Sequence, residues 1–305
     1  MSDPMETLPP IVRPERMTRV SEHVHVIPDG GVRGVPNVGI VVGHQRTLVI
    51  DAGMGERNGA IVYEAARTMG GERPMLLVTT HVHPEHDLGA QAFPSDVMMI
   101  RARAQQEEIR EEGMRVADDF RARSVAFRDL LEGARFRDAD VEFDRRLTLD
   151  LGGVRVMLAA MGANHTRGDT VAFVADDRVL FSGDLAMTGA PAFATRRSRV
   201  TRWITSLDEL ESLRADVVVP SHGPIGDTRL IAAYRAHLTG ILTRVRELRA
   251  DGVDVSGAVR IVGAERAADF GDVERLEGAV RAAYRESEEA AATPAKQTRQ
   301  HGEDV

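Results

Sequence analysis

Four apolar, strand-like runs in this 305-residue chain each end on an imidazole or a carboxylate. Pro74 to Val78 leads into His81, His83 and His86, three histidines within six residues. Val154 to Leu158 is followed by His165, in Gly162-Ala163-Asn164-His165-Thr166. Val179 to Phe181 ends at Asp184, in Phe181-Ser182-Gly183-Asp184, and Val217 to Val219 ends at His222, in Val219-Pro220-Ser221-His222-Gly223. Singly, each is an ordinary polar residue after a strand. Together they call for a fold in which the carboxyl ends of four strands meet, which is where open sheets bind ligands. Imidazole is the preferred nitrogen ligand for zinc and other borderline metals, and carboxylates complete such sites.

Elements of both kinds surround these runs. Residues 1–19 read as an extended arm. Strands are expected at His23 to Ile27, Val38 to Val42, Thr47 to Ile50 and Val97 to Ile100, separated by Gly-, Asp- and Pro-rich turns. Gly59 to Met69 has helical spacing and stops at Gly70-Gly71, and Gln91 and Phe93 belong to a short helix. From Ala102 to Glu132 the chain is rich in Arg, Glu and Ala, so two helices are expected, forming an insert at about 102–134. Gly152-Gly153 and Asp176-Asp177 turn two hairpins, and helices are expected at Ile204 to Leu213, Leu230 to Leu248 and Val273 to Arg285. The organisation is a body at 20–250, a C-terminal helical extension at 251–288 and a disordered tail at 289–305. A mixed sheet protein with outer helices, α/β or α+β, follows.

Composition removes several function classes. The chain has no cysteine, so disulfides, thiol nucleophiles and thiolate metal sites are excluded. Lys296 is the only lysine, which leaves no catalytic lysine in the body. A formal charge of −8 and 4% aromatic residues do not suit a nucleic-acid surface or a base-stacking face. Neither a signal-peptide core nor an apolar run of membrane-spanning length is present, so a soluble cytoplasmic protein with no membrane partner is expected.

The order Asp51, His-Val-His-Pro-Glu-His at 81–86, His165, Asp184 and His222 resembles the metallo-β-lactamase superfamily of metallohydrolases, across roughly residues 20 to 250. The resemblance implies an α+β fold, an αββα sandwich of two mixed sheets flanked by helices. It implies two divalent metal ions, zinc by preference, with iron or manganese as alternatives. The first would be held by His81, His83 and His165, and the second by His86, His222 and the residue at 85. Asp184 would bridge them, and Asp51 would orient a ligand from behind. Two such ions generate a hydroxide that attacks a carbonyl, with Asp184 and Glu85 as the catalytic carboxylates.

One position departs from the family pattern H-x-H-x-D-H: the fifth residue is Glu85. Its extra methylene moves the carboxylate by about 1.5 Å on an unchanged backbone, which is enough to break a metal bond. Either the loop at Pro84 adjusts so that Glu85 still binds, or Glu85 serves only as acid or base with help from Asp87, or one metal suffices. The first is favoured. The expected function is hydrolysis of a small ester, thioester or lactone. An iron dioxygenase and a non-catalytic binding protein are the alternatives. True β-lactamases of the superfamily resemble periplasmic proteins with cysteine or serine where Asp184 stands, so antibiotic hydrolysis is not expected.

Four further expectations concern the periphery. Met114, Val116, Phe120, Val125 and Leu130 in the insert would form an apolar lid suited to an acyl tail. Arg196 and Arg197, with Phe193, would wall the pocket and bind a substrate carboxylate. His23 and His25 alternate on a solvated strand face. The insert or the C-terminal helices would provide a homodimer contact.

Overall fold

The computed structural model describes residues 9–269 and 273–292. Its first sheet runs in the spatial order β1 (Thr18–Arg19), β2 (Val24–Ile27), β3 (Val38–Val42), β4 (Thr47–Ile50), β5 (Met75–Val78), β6 (Met98–Ala102), β7 (Val141–Phe143). Pairing is antiparallel from β1 to β4 and parallel from β4 to β7. Helix α1 (Gly55–Gly70) crosses from β4 to β5, and the single turn α2 (Pro84–Asp87) follows β5. The insert between β6 and β7 carries α3 (Arg103–Glu108), a π-type turn at Ile109–Gly113, α4 (Met114–Arg121) and α5 (Val125–Leu130).

The second sheet holds β8 (Arg146–Asp150), β9 (Arg155–Gly162), β10 (Asp169–Val174), β11 (Val179–Gly183) and β12 (Val217–Pro220), in the order β12-β11-β10-β9-β8. Only β11 and β12 pair in parallel, joined by α6 (Val200–Ser212). Then come α7 (Thr228–Ala250), α8 (Val255–Arg266) and α9 (Glu277–Ala292), the last entered by a 3-10 turn at Val273–Leu276.

Strand periodicity explains the layering. Leu48, Ile50, Leu76, Val78 and Ile100 face the second sheet and pack with Val156, Leu158, Ala172, Val174, Val179 and Phe181. The intervening Val49, Leu77 and Met99 face the other way, onto Val62, Ala65 and Ala66 of α1. Val171, Leu180 and Val218 likewise face the helices α6 to α9, with Trp203 and Leu238 in that core. Because both faces of each sheet are covered, these strands are continuously apolar. Four layers, helix–sheet–sheet–helix, result.

Several details differ from the sequence reading. The arm is docked: β1 pairs with β2, and the buried Val12 donates its N–H to Asn58 Oδ1 at 2.8 Å. The insert has its two expected helices, the first unbroken from α3 through the π-type turn to α4 and the second α5, while α9 carries helix to Ala292, four residues into the expected tail; residues 293–305 lie outside those described. His23 is not on a solvated face. Its Nδ1 meets Asp177 Oδ1 at 2.7 Å, clasping β2 to the β10–β11 turn.

The insert is locked to the body near His165. Glu108, 5% exposed, accepts from the Arg167 N–H at 3.0 Å, and a Cβ on Gly168 would come within 2.3 Å of the Gln105 backbone. Burial pushes the Glu108 carboxyl up to about 7 from 4.5, against the pull of the Arg167 N–H. A carboxyl raised in the folded state destabilises the fold progressively as pH rises from its unfolded to its folded value, and fully above that. Glu108→Gln should therefore stabilise the protein by about 2 to 3 kcal/mol at pH 8, with the gain vanishing near pH 4. Urea unfolding at the two pH values measures this, and a gain independent of pH would contradict it.

Candidate metal centre

The parallel strands deliver their carboxyl ends to one edge of the sandwich, and the candidate residues meet there. The loop after β5 carries His81, His83 and, on α2, Glu85 and His86; β9 leads to His165, β11 to Asp184 and β12 to His222. The Nδ1 of His83 lies 3.0 Å from Nε2 of both His81 and His165. Asp184 Oδ2 stands 3.3 Å from His165 Nε2 and 3.9 Å from His81 Nε2. Its other oxygen, Oδ1, is 3.8 Å from His86 Nε2 and 3.9 Å from His222 Nε2. Two donor groups result, His81–His83–His165–Asp184 and Glu85–His86–His222, each with its ligand atoms within 4.8 Å of one another. Asp184 turns one oxygen to each.

Acceptors behind the cluster fix which nitrogen faces inward. His86 Nδ1 donates to Asp51 Oδ2 at 2.8 Å, His165 Nδ1 to the Phe193 carbonyl at 2.7 Å, and His222 Nδ1 to the Val35 carbonyl at 3.1 Å. Thr80 spends its hydroxyl proton on Asp51 Oδ2, so its oxygen accepts from His81 Nδ1 at 3.0 Å. In each case Nε2 is left pointing at the shared space, as ligand geometry requires. Asp169 holds the His165 loop by accepting from the N–H groups of Asn164, His165 and Thr166.

The electrostatics suit cations. Burial, then the neighbouring imidazoles, hold His81 and His83 well below the usual histidine range. His165 is pulled down to about 4 by burial, with Asp184 opposing. Burial also acts on His86, but the Asp51 charge and hydrogen bond, with Asp184 and Glu85, outweigh it and push that ring up to about 9. Asp184 is held below its ordinary value: burial would raise it, and the His222, His165 and His86 rings overcome that. Glu85 Oε2, His86 Nε2 and Asp184 Oδ1 are buried without a hydrogen-bond partner. Buried orphans of this kind are rare, and three at one spot fit a missing cation.

With this geometry in hand, similarity to known proteins is decisive. The family model described as metallo-beta-lactamase superfamily matches residues 31–222. The chain belongs to that superfamily. An acyl-coenzyme A thioesterase MBLAC2 of Gallus gallus is 28% identical over 207 residues, covering 61% of this chain and 72% of that protein. A metallo-beta-lactamase from Pontibacter korlensis superposes with a TM-score of 0.59 at 21% identity, over 73% of this chain and 98% of that one. The sec-alkylsulfatase Pisa1 of Pseudomonas sp. superposes with a TM-score of 0.69 at 16% identity, over 88% of this chain and 50% of that one. Membership and donor groups together support a metallohydrolase that binds divalent metal. Among the described residues, no helix is long and apolar enough to cross a membrane.

Not every expected residue of this superfamily member takes part. Asp87 is not a helper of Glu85. It points behind the loop into a fully buried ion pair with Arg101 at 2.8 Å, and also accepts from Thr79 and Gln105. Arg197 is no pocket wall, since Glu111 and Glu112 of the insert engage it at 2.8 and 2.9 Å, and Arg196 is exposed. Phe193 does belong: its ring centroid is 5.6 Å from that of His83 and 5.8 Å from that of His165. From the lid, Phe120 reaches the site, 5.4 Å from His83, whereas Met114 and Val125 are 44% and 66% exposed. Two residues beside these rings, Arg123 and Arg275, had no local signal in a chain whose basic residues are almost all arginine.

Two substitutions probe this framework. Asp51→Asn should leave the fold intact but weaken metal affinity roughly 10- to 100-fold, because His86 loses its orienting carboxylate; zinc titration against a competing chelator reads this directly. Arg101→Met should cost about 3 to 5 kcal/mol in urea unfolding by stranding Asp87 in the interior. A loss below 1 kcal/mol would show that Asp87 finds another partner.

Proposed function

We propose that the protein is a dinuclear zinc hydrolase of acyl thioesters or esters. One observation carries the reading: Asp184 directs an oxygen to each of two donor groups, and its Oδ1, facing the second, is buried without a hydrogen-bond partner together with Glu85 Oε2 and His86 Nε2 of that group. His81, His83 and His165 would hold one ion, Glu85, His86 and His222 the other, and Asp184 both. Such ions supply a nucleophilic water at neutral pH and stabilise charge developing on a carbonyl oxygen. Glu85 offers a carboxylate oxygen within 4.8 Å of the His86 and His222 donor atoms despite the extra methylene, which supports a ligand role. Asp184, poised between the groups and ionised, orients the attacking water and is the carboxylate placed to receive its proton. Phe120 and Phe193 shield His83 from solvent and offer an apolar surface to an acyl chain.

The thioester preference draws on the thioesterase relative, whose name states its substrate class. A cytoplasmic setting belongs to the same proposal. A one-iron dioxygenase or a non-catalytic binder would leave Glu85, His86 and His222 without a task, which the buried orphans argue against.

Protein purified without added metal should contain about two zinc equivalents per chain, and removal by chelator should abolish thioester hydrolysis. Glu85→Ala should lower the content towards about one equivalent and cut turnover at least roughly tenfold, while Glu85→Asp should retain both ions. Unchanged metal and turnover in Glu85→Ala would remove Glu85 from the site. About one equivalent of iron, with oxygen consumed, would replace the hydrolase reading.

A further inference from the structure

Two guanidinium groups converge on the mouth of the donor cluster from segments far apart in the chain. Arg123, just after α4 in the insert, stacks with its guanidinium carbon 3.6 Å from the centroid of the Phe120 ring and 5.8 Å from that of Phe193. Arg275, in the turn that opens the last helix, stands 5.7 Å from the same Phe193 ring. Both aromatic rings are neighbours of His83. The guanidiniums therefore lie about one ring away from a candidate ligand, and both of their fields reach His83.

Neither guanidinium forms a hydrogen bond or ion pair among the described residues, in contrast to those of Arg197 and Arg167, which are neutralised by acids of the insert. The acids whose fields reach Arg123 are Glu85 and Asp119. The first belongs to the donor cluster, and the second is paired with Arg115 at 3.0 Å. A guanidinium stacked on a ring keeps its in-plane N–H donors free and loses little freedom on binding, which suits a planar oxyanion.

We propose that Arg123 and Arg275 form an anion clamp, and that the substrate carries a carboxylate in its acyl part, a few bonds from the scissile carbonyl. This rests on the hydrolase reading above and narrows it. Closeness to His83 selects a short acyl chain that ends in an acid. The phosphates of a coenzyme A leaving group, at the far end of a pantetheine arm, are too remote to be what the clamp reads. Arg196 and Arg197, the first arginines after Asp184 in sequence, have no part in it.

The test uses the zinc-loaded protein and two thioesters of N-acetylcysteamine, glutaryl and its neutral terminal amide. The wild type should favour the glutaryl thioester at least roughly tenfold in kcat/KM. Arg123→Gln and Arg275→Gln should each erode that ratio, and the double variant should bring it to about one. Arg155→Gln, in the hairpin at the opposite end of the second sheet, should leave the ratio unchanged. Glutarate binding by calorimetry to the metal-free protein gives a readout independent of turnover, and it should weaken roughly tenfold in each variant and with added salt. Equal turnover of the two thioesters, or a preference that follows coenzyme A over N-acetylcysteamine whatever the acyl group, would overturn the clamp. Hydrolysis of neither thioester would instead overturn the hydrolase reading, and glutarate binding lost with the arginines would then still uphold the clamp.

Discussion

A cluster of five imidazoles stripped of water is stable only if every ring is told which nitrogen to turn inward, and that constraint organises the structure around Asp51. It sits at the end of β4 with φ of 67°, in the left-handed region that costs a non-glycine residue roughly 1 kcal/mol or more. The conformation is held because both carboxylate oxygens are used. Oδ1 takes the Thr80 N–H at 2.7 Å, and Oδ2 takes the Thr80 hydroxyl and His86 Nδ1. Through Thr80 the same carboxylate sets His81 as well. One strained residue on the first sheet thus orients two rings of the loop that follows the next strand.

Asp169 plays the equivalent part on the second sheet. Its buried carboxyl gathers three successive N–H groups and the Thr166 hydroxyl, shaping the turn that presents His165. The two carboxylates fasten loops from different sheets to rigid strand ends, and the inter-sheet core fixes the distance between them. Asp184, entering from β11, closes the arrangement. The mouth is built differently, from Phe120 and Arg123 of the insert, Phe193 of the loop after Asp184 and Arg275 of the C-terminal extension. Donor cluster and mouth therefore draw largely on separate parts of the chain, and such separation lets one fold host many different sites.

The donor cluster was legible because each ligand-type residue follows an apolar run, and strands must deliver their ends to a common edge. The hairpins and the long helix α7 were legible for the same reason, strong periodicity between clear turns. What escaped has weak local signals. Strand β7 is three residues long, and α8 contains Gly257 and Gly263 and buries few large side chains. Asp87 was misjudged by adjacency: next to His86 in sequence, it lies on the opposite side of the α2 turn, where Arg101 neutralises it. Arg196 and Arg197 were misjudged in the same way, since nearness to Asp184 along the chain says nothing about the acids of the insert waiting across the loop. Arg275 could not be found from local pattern at all. The ring it faces, Phe193, comes from a distant segment, the loop after Asp184.

Charge provides the last link between the centre and its mouth. The chain as a whole carries −8, and against that background two guanidiniums stand at the mouth of the cleft. Two of the donors are acids, Asp184 and Glu85, with Asp51 behind them, and beside them stand two guanidiniums without acid partners among the described residues. Bound divalent cations would make this region more positive still. A glutamate in place of the shorter acid does not alter that count, so the exchange at position 85 preserves the electrostatics while shifting one donor atom. A neutral substrate would leave both guanidiniums, stacked on the rings of Phe120 and Phe193, with their in-plane donors unmatched by an anion. A substrate that brings its own carboxylate resolves the conflict, and the same rings then serve the methylenes that join the acid to the scissile carbonyl.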